Sequence, residues 1–226
     1  MVLRIGHRGA AGHAPENTLA SFRKAIELGL DMTELDVHVC ASGELVVIHD
    51  ENVDRTTNSK GWVSKLSLTE LKRLDAGAGE TVPTLAEVLD LLKDRIMLNI
   101  ELKGLGTAEP VYKLIKETGW QNTNLTISSF NWESLTEYKQ LDPDARIGVL
   151  TFRNHQEALE YAEANKAYSI NPYHMLLKKK LVEQAHNKGF KVFPWTPNTV
   201  KDIQNEIKKG VDGVISDYPD RILHQE

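Results

Sequence analysis

The stretch Thr33-Glu34-Leu35-Asp36-Val37-His38-Val39 alternates polar and apolar residues, the pattern of a strand. Leu35, Val37 and Val39 then point one way, and Glu34 and Asp36 the other. Carboxylates two residues apart on one strand face lie about 6–7 Å apart at Cα, so their oxygens can converge on one ion. An isolated surface strand gains nothing from this, because like charges on one face repel. A hard divalent cation removes the repulsion, and Mg2+ and Ca2+ prefer oxygen ligands. The same two-residue rule puts Glu101 and Lys103 on one face. Burying Glu101 beside Glu34 and Asp36 is costly unless a cation compensates the charge. The competing readings are a solvated polar face for Glu34 and Asp36 and a structural ion pair for Glu101 with Lys103.

His7 and His49 each end an apolar run. A histidine pair suits acid–base work near neutral pH, one ring taking a proton and the other giving one. A single histidine at a strand end serves equally well as a hydrogen-bonded structural residue. Arg8 and Lys103 are the cations closest to this set, and a guanidinium with an ammonium makes a good phosphate-binding pair. Together these groups fit in-line displacement on an anionic substrate, with cations stabilising the charge. His13, His155, His174, His186 and His224 read as ordinary. His38 does too, although it continues the Glu34–Asp36 face. Gly-x-x-x-x-Gly-Lys, Gly-x-Gly-x-x-Gly and Gly-x-Ser-x-Gly are all absent, which disfavours nucleotide folds and serine hydrolases.

Strands expected at 2–6, 33–39, 96–101, 125–129, 146–150, 167–171, 190–195 and 213–216 must position these residues. Helices alternate with them, among them 108–118, 131–141, 155–165, 175–188 and 198–209, with a last short helix in the tail. Strand–helix alternation implies a parallel sheet, and eight units suggest closure into a barrel. A doubly wound open sheet is the structural rival. Ala41-Ser42-Gly43 is too short for a parallel crossover, so residues 45–49 must return antiparallel, bringing His49 back near Glu34 and Asp36. Residues 50–82 read as an excursion. Thr84-Leu85-Ala86-Glu87 then has the form of a capping box. In such a barrel chemistry sits at the C-terminal strand ends. His7-Arg8, Glu101-Leu102-Lys103, Ser128-Ser129-Phe130, Asn171, Trp195-Thr196 and Asp217 all fall there.

With 226 residues the chain suits a single barrel. Lys and Arg number 27 against 32 Asp and Glu, and the net charge of −5 argues against a general nucleic-acid binder. The one cysteine, Cys40, excludes an intrachain disulfide framework and reads as a small buried residue. No leader-like apolar region follows Met1, and no apolar run approaches about 18 residues. A cytoplasmic protein without a membrane span is the expectation.

Taken in order, His7-Arg8-Gly9, Pro15-Glu16-Asn17-Thr18, Glu34-x-Asp36-Val37, His49-Asp50, Arg55-Thr56, Pro83-Thr84-Leu85, Glu101-x-Lys103, Trp195-Thr196 and Asp217-x-Pro219 resemble the glycerophosphodiester phosphodiesterase family. The resemblance runs from residue 5 to about 219. It implies an α/β fold, a (β/α)8 TIM barrel with a small insertion after the second strand, at about 40–82, and one domain over 1–226. It implies hydrolysis of small-molecule glycerophosphodiesters to sn-glycerol 3-phosphate and an alcohol, by a monomer or homodimer. Matched residue by residue, Glu34, Asp36 and Glu101 correspond to ligands of one divalent cation, Mg2+ or Ca2+. His7 corresponds to the proton acceptor and His49 to the proton donor. Arg8 and Lys103 correspond to the phosphate-contacting cations, and Trp195 to the apolar wall near the glycerol. Two alternatives use the same scaffold: a lyase-type phosphodiesterase releasing a cyclic phosphate, and a non-catalytic phosphodiester-binding barrel. Pro194 falls inside an expected internal strand, where proline removes a ladder donor, and so predicts a local irregularity that places Trp195.

Overall fold

The structure, a computed structural model, describes residues 1–120 and 122–222. His224 and the end of the expected tail helix lie outside the described residues. The chain runs β1 (Leu3–Gly6), α1 (Leu19–Glu27), β2 (Met32–Val39), β3 (Leu45–Val47), α2 (Leu68–Leu71), α3 (Leu85–Leu92) and β4 (Met97–Leu102). It continues through α4 (Ala108–Thr118), β5 (Leu125–Ser129), α5 (Trp132–Leu141), β6 (Ile147–Thr151), α6 (His155–Ala164) and β7 (Ser169–Pro172). α7 (Lys179–Asn187), β8 (Lys191–Val192), α8 (Val200–Lys208) and β9 (Gly213–Ser216) complete it.

Eight parallel strands pair in the order β8-β7-β6-β5-β4-β2-β1-β9. The circle closes where the Asp212 N–H donates to the Val192 carbonyl and the Ile215 N–H to the Pro194 carbonyl, at 3.1 and 3.0 Å. The sheet is thus the (β/α)8 barrel read from the sequence, not the open rival. β3 leaves this path and pairs antiparallel with β2, Val37 opposite Val47, as the short Ala41–Gly43 turn requires. Thr84 caps α3 by accepting from the Glu87 N–H while the Glu87 carboxylate accepts from the Thr84 N–H, which completes the expected capping box.

Side-chain alternation divides the strands. Leu35, Val37, Leu98, Ile100 and Leu102 turn outward into the buried layer shared with Val88, Leu89, Leu92, Val111 and Ile115 of the helices. Each such aliphatic side chain contributes about 1.5–3 kcal/mol by leaving water. Inside the barrel the lower layer is apolar, with Ile5, Met32 and Phe193 packed together and Leu3 and Met97 against them. Above Met32 on the same face stand Glu34 and Asp36, and above Met97 stand Asn99 and Glu101. The excursion after β3 has a small core of its own, where Cys40, Val46, Ile48, Val53, Val63, Leu71, Ala76 and Val82 cluster.

Three boundaries differ from the sequence reading. The strand expected at 190–195 ends at Val192, because Pro194 offers no N–H to its neighbour. The chain rejoins the barrel one residue later, through bridges from Trp195 to Tyr173 and Ile215. The helix expected at 175–188 starts only at Lys179, after a separate 3-10 turn at His174–Leu176. Within the described residues, the stretch after β9 forms a 3-10 turn at Pro219–Arg221 where the tail helix was expected to begin.

Candidate active site

At the C-terminal rim of the barrel a pocket of about 130 Å³ is lined by His7, Arg8, Glu34, His49, Glu101 and Trp195 among others. Asp36 lies just beneath, and one carboxylate oxygen from each of Glu34, Asp36 and Glu101 comes within 4.8 Å of the others. Lys103 reaches in from the end of β4, its Nζ 3.0 Å from Glu101 Oε1 and 3.1 Å from His49 Nε2. The eight residues singled out in the sequence therefore gather at one place.

The loop after β1 turns sharply to present His7 and Arg8. A Cβ on Gly6 would meet the Gly9 carbonyl oxygen at 1.9 Å, and Gly9 itself has φ +91°. No side chain is compatible with either position. Arg8 follows with φ +48°, a strained backbone region for a non-glycine residue. In return its N–H donates to Glu34 Oε2 at 2.8 Å, and its guanidinium lies 2.7 Å from Glu16 and 3.4 Å from Asp36.

The three central carboxylates are 3, 1 and 8 % exposed for Glu34, Asp36 and Glu101. Glu34 Oε1 and Asp36 Oδ1 are buried without a hydrogen-bond partner. Burial first, and then repulsion from Asp36, pushes Glu34 well above the ordinary glutamate value and Glu101 from 4.5 to about 7. Orphaned buried oxygens beside mutually repelling acids are the arrangement a hard divalent ion relieves, and an all-oxygen donor set matches Mg2+ or Ca2+. The residues thus fit such a cation.

Each histidine is held by an aspartate. His7 Nδ1 lies 2.7 Å from Asp217 Oδ1, and Asp217 is fixed by Asn198 Nδ2 at 2.6 Å. Burial would raise the Asp217 carboxyl, but the His7 bond and the neighbouring charges hold it below the usual range. His49 Nδ1 lies 2.6 Å from Asp50 Oδ1. Burial lowers the His49 ring below the ordinary histidine value, helped by Arg8 and opposed by Asp36. Donating Nδ1–H to a carboxylate leaves Nε2 as the working nitrogen of each ring.

Several residues to which the sequence reading gave no role complete the site. Arg55, on the excursion, donates to both Asp50 oxygens at 2.8 and 3.1 Å and to both Glu16 oxygens at 2.8 Å. An ionic chain Asp50–Arg55–Glu16–Arg8 thereby ties His49 to Arg8. Asn17 donates to Asp36 Oδ2 at 2.8 Å from a left-handed backbone with φ +56°. Asn99 and Ser128 line the pocket with side-chain oxygens that have no partner. Asn99 was legible by the rule that joined Glu101 to Lys103, since it lies two residues before Glu101. Arg55 carried no spacing signal, because a loop delivers it. His38 is the exception to the alternation: it is buried, and its Nε2 donates to the His49 carbonyl at 3.1 Å, fixing that residue's backbone.

The profile of the glycerophosphoryl diester phosphodiesterase family matches residues 7–221. A glycerophosphodiester phosphodiesterase from Caldanaerobacter subterraneus subsp. tengcongensis is 43% identical, over 98% of this chain and 96% of the relative. Among solved structures, an Oleispira antarctica phosphodiesterase in complex with the product sn-glycerol-3-phosphate superposes with a TM-score of 0.91, at 32% identity over 96% of this chain and 94% of that one. A glycerophosphodiester phosphodiesterase from Thermotoga maritima superposes with a TM-score of 0.85, at 30% identity over 97% and 96%. No helix among the described residues is long and apolar enough to cross a membrane. On this evidence the chain belongs to the glycerophosphodiester phosphodiesterase family and is an enzyme of that family, a phosphoric diester hydrolase.

Proposed function

We propose that the protein hydrolyses glycerophosphodiesters to sn-glycerol 3-phosphate and an alcohol in a metal-dependent reaction, with His7 and His49 as the acid–base pair. The observation that carries this reading is the position of three buried, under-compensated carboxylates beside two aspartate-held histidines. Glu34, Asp36 and Glu101 would hold one Mg2+ or Ca2+. Such an ion supplies charge neutralisation and Lewis-acid polarisation of a phosphoryl oxygen. The product-bound Oleispira relative supports glycerol 3-phosphate as the group this pocket accepts.

Arg8 and Lys103 bind the charged oxygens of the diester, the first as a planar fork and the second as a point charge. Trp195 and Phe130 stand against the glycerol carbons. The Trp195 indole N–H is spent on the Asn171 carbonyl at 2.9 Å, and its ring meets Phe130 edge-on at 5.4 Å. His7 Nε2 takes the proton from the attacking oxygen, which is water, or the neighbouring glycerol hydroxyl followed by water, which adds to phosphorus and breaks one ring phosphorus–oxygen bond of the resulting cyclic ester. Asp217 stabilises the resulting imidazolium. His49 Nε2 gives a proton to the departing alcohol as its bond to phosphorus breaks.

A coupled assay for glycerol 3-phosphate over a panel of head groups, with and without Mg2+ and Ca2+, tests this directly. His7→Ala and His49→Ala should each lower kcat by roughly 10²–10⁴. Full turnover of a poor leaving group by His49→Ala would remove it as the proton donor. Phosphorus NMR of the products separates hydrolysis from the lyase alternative, which leaves a persistent cyclic ester.

A further inference from the structure

Inside the barrel a layer of uncharged polar side chains adjoins the carboxylates, and its two halves are paired differently. In one half Ser169 Oγ donates to Asn171 Oδ1 at 2.8 Å, both residues being buried. Glycine on β6 gives that pair its room: a Cβ on Gly148 would meet Ser169 Oγ at 3.0 Å and Asn171 Nδ2 at 3.1 Å. In the other half stand Asn99 of β4, beside Glu34 in register, and Ser128 of β5, beside Glu101. They are 3 and 0 % exposed, and neither Asn99 Oδ1 nor Ser128 Oγ has a hydrogen-bond partner among the described residues. Both residues line the pocket. Buried polar atoms are paired almost everywhere in folded proteins. Two orphans on adjacent strands, at the wall of one pocket, therefore point to a partner that arrives with the ligand.

The chemistry of the two side chains says which part of a ligand that is. A carboxamide and a hydroxyl carry no charge, and each both donates and accepts. A phosphoryl group is better served by Arg8 and Lys103, and a hard cation by the carboxylates. A hydrocarbon group would leave both orphans buried and unpaired, the costly outcome. A neutral hydroxyl, donor and acceptor at once, satisfies them. In a glycerophosphodiester the glycerol keeps two free hydroxyls. One is on the carbon next to the phosphate-bearing carbon and stays close to phosphorus. The other is at the far end, and reaches Asn99 and Ser128 when the carbons between lie along Trp195 and Phe130.

We propose that Asn99 and Ser128 bind the terminal hydroxyl of the glycerol and so select the alcohol that stays on phosphorus. The proposal rests on the function given above and deepens it. A diester in which propane-1,2-diol replaces glycerol keeps the neighbouring hydroxyl, the phosphate and the head group. It leaves Asn99 and Ser128 without a partner, so the enzyme should reject it.

The test compares kcat/KM for glycerophosphocholine with that for 2-hydroxypropyl phosphocholine, in which hydrogen replaces the terminal hydroxyl. The unaltered enzyme should prefer glycerophosphocholine by roughly hundredfold or more, because a site built to hydrogen-bond a hydroxyl strongly rejects a ligand that lacks it. Ser128→Ala and Asn99→Leu should each bring the two substrates toward parity by lowering glycerophosphocholine. Ser128→Ala should do so without lowering the melting temperature, because its Oγ has no protein partner to lose. Near-equal turnover of both substrates by the unaltered enzyme overturns this inference alone and leaves the two side chains to bind water only. A preference that both variants retain overturns it as well. So does a proportional loss on both substrates, which marks a structural role. Absence of turnover on every diester overturns the functional reading and the inference with it. As a check independent of the variants, glycerol 3-phosphate should inhibit the unaltered enzyme roughly tenfold or more tightly than propane-1,2-diol 1-phosphate. Equal inhibition contradicts the proposal.

Discussion

Glu34, Asp36 and Glu101 at the barrel centre and Glu16 with Asp50 at its rim are neighbouring acid clusters with opposite compensation. At the rim, Arg55 answers both carboxylates with four hydrogen bonds. Asp50 falls well below the usual aspartate range, chiefly through the Arg55 bonds. Burial would raise Glu16, but Arg55 and Arg8 outweigh it and bring it to about 2. At the centre, Arg8, Lys103 and Asn17 answer only part of the charge. Two buried oxygens stay unpartnered, and burial keeps Glu34 and Glu101 raised. The rim cluster is self-sufficient and serves to fix His49 and Arg8. In the function proposed above, a cation completes the central cluster.

The sharpest way to break this contrast is at the centre. Glu34→Gln with Asp36→Asn should reduce turnover by on the order of 10³ or more, the several kcal/mol that metal-assisted charge stabilisation supplies. The same substitutions should raise the melting temperature of the chelator-treated protein, by about 2–4 °C per kcal/mol of repulsion relieved. Thermal denaturation in EDTA reads this, and a fall would place the centre in the same class as the rim. At the rim the signs reverse. Arg55→Met should lower kcat by roughly tenfold through misplacement of His49 and Arg8. It should cost stability no more than about 1 kcal/mol, because Arg55 is half exposed and its pairs are screened. Steady-state kinetics beside urea denaturation separates the two.

Acidity sharpens the comparison further. Glu101 has a folded pKa raised from 4.5 to about 7. Between those values the folded state binds more protons than the unfolded one, so metal-free stability should fall as pH rises from about 4.5 to about 7. The loss from Glu101 is on the order of 3 kcal/mol. Glu16 is depressed from 4.5 to about 2, so its contribution is present above 4.5 and lost as pH falls through 2. Metal-free protein should therefore be most stable in the mildly acidic range, and saturating Mg2+ or Ca2+ should abolish the decline toward neutrality. Melting temperatures across pH, with and without ion, check both limbs.

The barrel was legible because each strand–helix unit carries its own periodicity, and the Ala41–Gly43 turn dictates the β3 hairpin on length alone. The convergence of Glu34, Asp36 and Glu101 was legible for a similar reason: strand alternation fixes facing, and barrel topology fixes which strands adjoin. What escaped was set by loops: not which residues matter but how they act. Arg55 stands in the family pattern without a role, and it reaches the site from an excursion whose path follows no period. Arg8 and Asn17 stand in that pattern too, but the left-handed backbone that aims them was not foreseen. Pro194 did announce a break in its strand, but not that the strand would shrink to Lys191–Val192. His38 shares a strand with Glu34 and Asp36, yet it serves the His49 backbone rather than the pocket.

Calorimetric titration of chelator-stripped protein with Mg2+ and with Ca2+ tests most directly whether the centre is a cation site. The account predicts one ion bound per chain, with binding lost in Glu34→Gln/Asp36→Asn and retained in Arg55→Met. Turnover of glycerophosphodiesters by a protein that binds neither ion nor any other divalent metal would contradict it.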